Sequence, residues 1–224
     1  MSNFQKNYVN NLSNYFGSKY ADDLRLFQTI NRFLNFNNHK IIEKGSKLLD
    51  LGSGTGSFVK VCEENKIKSI GLDFASNNLN FDKDKLPLQD NTFEFITMIN
   101  LIEHLRDHKN IITEIKRVAK NNATLIICTP NFKYAYKNFY DDPTHCSPFT
   151  NVSLSKFLEN HGFTYINIAP FLVDKSDFFW KFKYKFKLAS LLPFTNHEKI
   201  NSFLIPKFLR GKSTSMICTS LITK

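Results

Sequence analysis

Three glycines fall within five residues of the stretch LLDLGSGTGSF, Leu48 to Phe58: Gly52, Gly54 and Gly56. Where a strand turns into a helix, such residues free the backbone for conformations closed to side chains and let a ligand approach the helix N-terminus. The turn is not a phosphate-gripping Walker loop, since no Gly-Lys-Ser/Thr follows, and Ser57 stands where the last glycine of the dinucleotide fingerprint would fall. A pyrophosphate cradle is therefore disfavoured. The next apolar run, SIGLD, ends in Asp73, seventeen residues after Gly56 (73 − 56 = 17), about where an acidic side chain accepts both hydroxyls of a ribose. Together these residues imply an adenosine-containing ligand.

The elements that must position them are legible on both sides. The run Leu48–Leu51 leads into the glycines, Phe58–Glu64 has helical spacing, and Ser69–Asp73 returns as a strand. The order repeats: FEFITMI (Phe93–Ile99) is a buried strand by its β-branched and aromatic content, His108–Lys120 an amphipathic helix, and Ala123–Thr129 another strand. NVSLSKFLENHGF carries a helix start signal and the stop residue Gly162; the strand candidate TYINIAPF follows, and Ser213–Thr223 has the period-2 texture of a final strand. Strands alternating with helices predict an α/β fold, a Rossmann-like doubly wound sheet, mostly parallel with an antiparallel C-terminal strand and helices on both faces. Apolar positions at helical spacing between Asn7 and Phe36 predict one or two amphipathic helices in front of it.

At 224 residues, the chain suits a single domain. Its expected parts are a helical cap over 1–40, a cofactor-binding core over 41–172, an aromatic and basic insert over 173–211 and the final strand over 212–224. The net charge of +10 would suit a polyanion, yet abundant Lys, Asn, Phe and Ile run through the whole chain, so it is read as compositional bias. Cys62, Cys128, Cys146 and Cys218 form no C-x-x-C pair, which points away from a zinc knuckle and towards reduced thiols. With neither a signal-type N-terminus nor an apolar run long enough to span a bilayer, a cytoplasmic protein is expected.

Four motifs in order, LLDLGSGTGSF, GLDFA, LPLQDNTFEFITMINLIEHL and DPTHCSPFTNVSLSKFLENHGF, resemble the class I S-adenosylmethionine-dependent methyltransferases, in particular the branch acting on small molecules and glycans. The resemblance runs from about Lys47 to Phe171 and implies S-adenosyl-L-methionine as cofactor. It implies that Asp50 and the turn of Gly52, Gly54 and Gly56 contact the methionine part, and that Asp73 holds the ribose. FDKDKLPLQD occupies the place of the family's GDAxxLPFxD, which implies that Asp82 reaches the adenine amino group and that Leu86 or its neighbours pack on the ring; Phe81 replaces the usual glycine. The resemblance also implies that Asn100 lies at the methionine end and the reaction centre. The cofactor's tail is a zwitterionic amino acid without phosphate, so glycine backbone and carboxylates suffice to hold it.

Methyl transfer from a sulfonium is an in-line displacement with a good leaving group, so alignment and one proton acceptor are the main requirements. His104 in LIEHL and His145 in DPTHCSPFT occupy loops at strand ends and are the candidate catalytic residues. Each has a structural alternative: His145 as a loop residue bonded to backbone or to Asp141 or Asp142, and the pair Glu103–His104 as the cap of the following helix. A metal site of Glu103, His104 and His145 is set aside because adjacent residues at a helix start point in different directions, and no metal is expected. Cys146 is read as a loop thiol.

From Trp180 to Lys187, aromatic residues and lysines alternate strictly. That pattern suits a strand, or a helix with snorkelling lysines, and the insert is read either as a substrate lid or as a peripheral membrane contact through 178–187. The expected function is methyl transfer to a small-molecule or glycan acceptor, most simply at oxygen, with no nucleic-acid partner. An NAD(P)-dependent oxidoreductase is the alternative within enzymes; Ser57 and the absence of a Tyr-x-x-x-Lys pair oppose it, since YAYK at Tyr134–Lys137 has the wrong spacing. A non-catalytic membrane- or partner-binding module is the alternative outside them.

Overall fold

The computed structural model describes residues 20–171, 194–195 and 210–224. Among these, six strands form one sheet: β1 (Lys47–Leu51), β2 (Lys68–Leu72), β3 (Phe93–Ile99), β4 (Ala119–Pro130), β5 (Phe163–Pro170) and the C-terminal β8 (Ser215–Ile222). A separate ribbon pairs β6 (Phe194–Thr195) with β7 (Arg210–Lys212). Sheet order is β2-β1-β3-β4-β8-β5. β1, β2, β3 and β4 run parallel, whereas β8 is antiparallel to both of its neighbours, β4 and β5. The expected antiparallel C-terminal strand is thus present, wedged between two strands that precede it in the chain.

Alternation along each strand sorts the core into two layers. Leu49, Leu51, Ile96, Met98, Leu125 and Ile127 face one way, against helix α4 (Lys109–Val118) through Ile111, Ile112 and Ile115 and against α5 (Asn151–Asn160) through Leu154 and Leu158. Leu48, Phe95, Ile126, Cys128 and Ile217 face the other way. There α1 (Tyr20–Phe36) lays Phe27, Ile30, Phe33 and Leu34 beside Phe58, Val61 and Cys62 of α2 (Ser57–Glu64). The amphipathic spacing expected up to Phe36 is realised in α1, and its section before residue 20 lies outside the described residues. Asn31 fastens α1 to the chain ahead of β1, since its side chain both donates to the carbonyl of Ile42 and accepts from the amide of Ile42.

Two of the boundaries that differ from expectation do so for a local reason. β2 stops at Leu72 because Asp73 turns outward to cap the short helix α3 (Phe74–Asn77), accepting from the Ala75 amide. Helix α4 ends at Val118, and Ala119 already pairs with Phe93, so β4 takes over two residues assigned to the helix. A capping box between Thr150 and Ser153 starts α5 at the expected Asn151, where the sequence showed only a polar start signal. The alternating segment Trp180–Lys187, with the lid and membrane readings attached to it, lies outside the described residues.

Candidate active site

The glycine turn leaves the C-terminal end of β1 with left-handed backbone at all three positions: φ is 76° at Gly52, 53° at Gly54 and 77° at Gly56. Residues with a Cβ pay for that conformation. Gly52 has a second reason to be glycine, because an added Cβ would lie 3.1 Å from Leu101. The turn is tied to the neighbouring strand: the amides of Gly52 and Ser53 donate to the Leu72 carbonyl at 2.8 and 3.1 Å. The amide of Gly54 donates to Asp73 Oδ2 at 3.0 Å, while Asp73 Oδ1 accepts from Ala75 at 2.8 Å. Two carboxylate oxygens with two bonds made leave lone pairs for further donors such as ribose hydroxyls.

Asp50, 2% exposed, precedes this turn on the layer shared with α1 and α2. It lies opposite Thr97 of β3, whose hydroxyl donates to Asp50 Oδ1 at 2.7 Å. Burial pushes its carboxyl up to about 7; the Thr97 bond opposes that shift, and the charges of Asp73 and Asp23 add to it. Asn100 follows β3 in left-handed backbone, φ 49°, exposed, with its amide bonded to the Cys128 carbonyl of β4 at 2.8 Å. Asp82 lies in a turn organised by Asn80, whose side chain accepts from the Asp82 amide at 3.0 Å.

Phe81, which replaces the customary glycine, does not strain that loop. Its ring is sealed in the core, and Asn110 of α4 donates to its carbonyl and to that of Asp84. Leu86 is sealed too, at 1% exposure, and offers no face to a ring; its neighbour Leu88 stays partly open. The segment that carries them is held by a pair the sequence reading passed over. Arg117 donates to the carbonyls of Leu86 and Leu88 at 2.9 and 2.8 Å and to both oxygens of Glu114, and Glu114 in turn accepts from the Leu86 amide at 2.8 Å. Only the spacing of Glu114 and Arg117, one turn apart on a helix, could have hinted at the pair.

His104 and His145, forty-one residues apart (145 − 104 = 41), meet with ring centroids 4.7 Å apart. His104 sits on a 3-10 turn, Ile102–His104, directly after Leu101. Neither it nor Glu103 caps α4: Asp107 accepts from the Lys109 amide instead. The segment 142–147 folds back onto this turn, with the amides of Cys146 and Ser147 donating to the Glu103 carbonyl at 2.9 and 3.0 Å. His145 Nδ1 lies 2.6 Å from the Phe139 carbonyl, which can only accept, so Nδ1 carries the proton and Nε2 the lone pair. Asp142 Oδ2 stands 3.8 Å from that Nε2. Burial, then electrostatic coupling to the neighbouring His145 imidazole, lowers the pKa of His104, with Asp142 and Thr144 pulling the other way.

The objection raised against a shared site for Glu103, His104 and His145 does not hold. Although Glu103 and His104 are adjacent on the turn, segment 142–147 brings His145 to both of them, and one ligand atom from each of the three lies within 4.8 Å of the others.

A family described as a methyltransferase domain matches residues 19–168, more than half of the chain. An uncharacterised protein of Methanocaldococcus jannaschii is 32% identical over 135 residues, 56% of this chain and 55% of that protein. A demethylmenaquinone methyltransferase of Staphylococcus epidermidis is 25% identical over 150 residues, 51% of this chain and 62% of that enzyme. The chain thus spans little more than half the length of these relatives. Among solved structures, a SAM-dependent methyltransferase from Archaeoglobus fulgidus superposes with a TM-score of 0.61 at 19% identity, covering 96% of this chain and 99% of that one. A Haemonchus contortus phosphoethanolamine N-methyltransferase in complex with S-adenosyl-L-methionine gives 0.54 at 13%, covering 96% and 60%. At these identities, the likeness is one of fold.

Proposed function

Because the chain belongs to the methyltransferase-domain family, we propose that it is an S-adenosylmethionine-dependent methyltransferase acting on an oxygen of a small-molecule or glycan acceptor. The observation that carries this reading is the bond from the Gly54 amide to Asp73, which locks a three-glycine turn against a carboxylate at the open end of the sheet. Gly52, Gly54, Gly56 and Asp50 hold the methionine part of the cofactor, Asp73 the ribose and Asp82 the adenine amino group. Asn100 stands at the methionine end. The relative named as a demethylmenaquinone methyltransferase favours a small acceptor.

The acceptor lies on the side of His145 and His104. Its oxygen attacks the methyl carbon as the carbon–sulfur bond breaks, and the proton it sheds passes to a lone pair such as that of His145 Nε2. The product sulfide is neutral, so the positive charge leaves with that proton. The same reading places the protein in the cytoplasm, in keeping with its four free cysteines. Among the described residues, no helix is long and apolar enough to cross a membrane.

Thermal unfolding with S-adenosylhomocysteine, NAD and NADP in parallel tests it. A ligand at a hundred times its Kd adds about 2.7 kcal/mol of stability. Stabilisation by the homocysteine compound alone supports the methyltransferase. Stabilisation by NAD or NADP alone reassigns the glycine turn to an oxidoreductase, and no shift with any ligand favours a non-catalytic module.

A further inference from the structure

Glu103 presents a chemical problem that methyl transfer does not explain. Its side chain is buried, 1% exposed, and Thr129 donates to Oε2 at 2.9 Å, yet Oε1 has no hydrogen-bond partner among the described residues. A carboxylate oxygen stripped of water and given nothing in exchange costs several kcal/mol unless the group is protonated or a cation completes it.

The groups around Oε1 are suited to a cation. Thr144 Oγ1 lies 2.6 Å from Asp142 Oδ1 and 2.8 Å from His104 Nδ1. The hydroxyl has one proton, and the carboxylate can only accept it, so the bond to His104 runs from Nδ1–H to the hydroxyl oxygen. His104 is thereby left with its lone pair on Nε2, as His145 is by its bond to the Phe139 carbonyl. Two imidazoles fixed as Nδ1–H tautomers by outer partners, plus one carboxylate, form the arrangement in which metal-ligating histidines are held. It is also the donor set of open catalytic zinc sites, with three protein ligands and room for another.

We propose that Glu103, His104 and His145 bind one divalent transition-metal ion of borderline softness, such as Zn²⁺, at the acceptor side of the site. The three ligand atoms lie within 4.8 Å of one another, and ligands about 2.0–2.1 Å from a tetrahedral ion stand roughly 3.3 Å apart. The difference is within reach of side-chain rotation. The geometry is braced from behind, since the Cys146 and Ser147 amides pin segment 142–147 to the Glu103 carbonyl and the Ser147 hydroxyl donates to the Leu105 carbonyl at 2.7 Å. Asp142, Thr144, Phe139 and Thr129 form the outer shell. With the ion bound, the two Nε2 atoms are ligands rather than proton acceptors, and the open coordination position faces the acceptor. This last point rests on the methyltransferase reading, whereas the ion site itself does not.

Calorimetric titration of the chelator-treated full chain with zinc chloride, without cofactor, tests the site. One zinc per chain is expected, with affinity reduced at least tenfold in both Glu103→Gln and His145→Ala. Thr144→Val should lower it roughly 10–100-fold, as loss of an outer partner does. Cys146→Ser, which removes the nearest exposed thiol, should leave it unchanged, and circular dichroism confirms that each variant is folded. Absence of one-to-one binding overturns the proposal, as does equal affinity in folded Glu103→Gln and His145→Ala. Loss of binding in Cys146→Ser transfers the site to the thiol and overturns it too. A chain that binds S-adenosylhomocysteine but no zinc sinks this site alone, and one that binds zinc but no S-adenosylhomocysteine sinks only the methyltransferase reading.

Discussion

Thr97 of β3 donates its hydroxyl to Asp50 of β1 at 2.7 Å, from the strand position directly beside it in the sheet. That bond is too little to keep a buried carboxylate ionised, and the group stays protonated up to about pH 7 in the ligand-free protein. A cationic ammonium group brought alongside would reverse the balance. Affinity for S-adenosylhomocysteine should therefore tighten as pH rises towards about 7, by up to tenfold per pH unit, and level off above it. Asp50→Asn should flatten the profile, and calorimetry from pH 5.5 to 8.5 reads the difference. Without ligand, the sign is opposite: the folded pKa is raised from 3.8, so the stability Asp50 contributes is complete below that value and is lost as pH climbs through about 7.

Asp73 serves two masters, the Gly54 amide and the cap of α3. Asp73→Ala should cost about 1 kcal/mol of stability as a lost cap. It should weaken S-adenosylhomocysteine binding far more, roughly 10–100-fold, since charge-assisted bonds to ribose go with it. Asp73→Asn keeps an oxygen for Ala75 and should recover most of the stability with little of the affinity. Equal losses on both scales would mean that Asp73 only shapes the turn.

Arg117 holds the Leu86–Leu88 segment by two carbonyls and neutralises the buried Glu114. Arg117→Ala leaves that carboxylate without its cation and should destabilise the protein by about 3 kcal/mol, visible in urea unfolding. Loosening the adjoining Asp82 turn should also weaken cofactor binding several-fold. The double variant Arg117→Ala, Glu114→Gln should regain part of the stability, because the stranded charge is gone.

His145→Ala should reduce turnover by about 100-fold or more while affinity for S-adenosylhomocysteine stays within about twofold of wild type. Either role of Nε2, proton acceptor or metal ligand, requires this outcome. A fall in cofactor affinity matching the fall in turnover would place His145 at the cofactor instead of the acceptor.

The parts legible in the sequence were those governed by short-range rules. An apolar run marked β1, β-branched and aromatic content β3, and a period-2 texture the C-terminal strand, each within a residue or two, and the glycines declared a turn whose positive φ values only they adopt readily. What escaped was set by contacts across the chain. Nothing in SMICTSLI says that it inserts between β4 and β5, because that depends on which edges remain unpaired once the parallel strands have formed. Nothing in the sequence brings Glu103 and His104 to His145, because the three meet only where segment 142–147 folds back onto the turn some forty residues earlier in the chain. The grip of Arg117 on Leu86 spans thirty-one residues and involves backbone carbonyls, which carry no sequence signature.

The placement of β8 bears on how the protein comes into being. Residues 215–222 fill the slot between β4 and β5, pairing along nearly their whole length with both. While the chain is still being synthesised, those two strands have no partner on their facing edges, and the sheet can close only after the last of its strands has left the ribosome. Closure then joins β8 to a strand that begins almost a hundred residues earlier (215 − 119 = 96), the kind of distant pairing that slows folding and leaves sticky edges exposed meanwhile. A stop codon before residue 215 would therefore not yield a shortened enzyme with a clipped tail. It would yield a sheet in which β5 is cut off from the other four strands, leaving the facing edges of β4 and β5 open to pair with other chains.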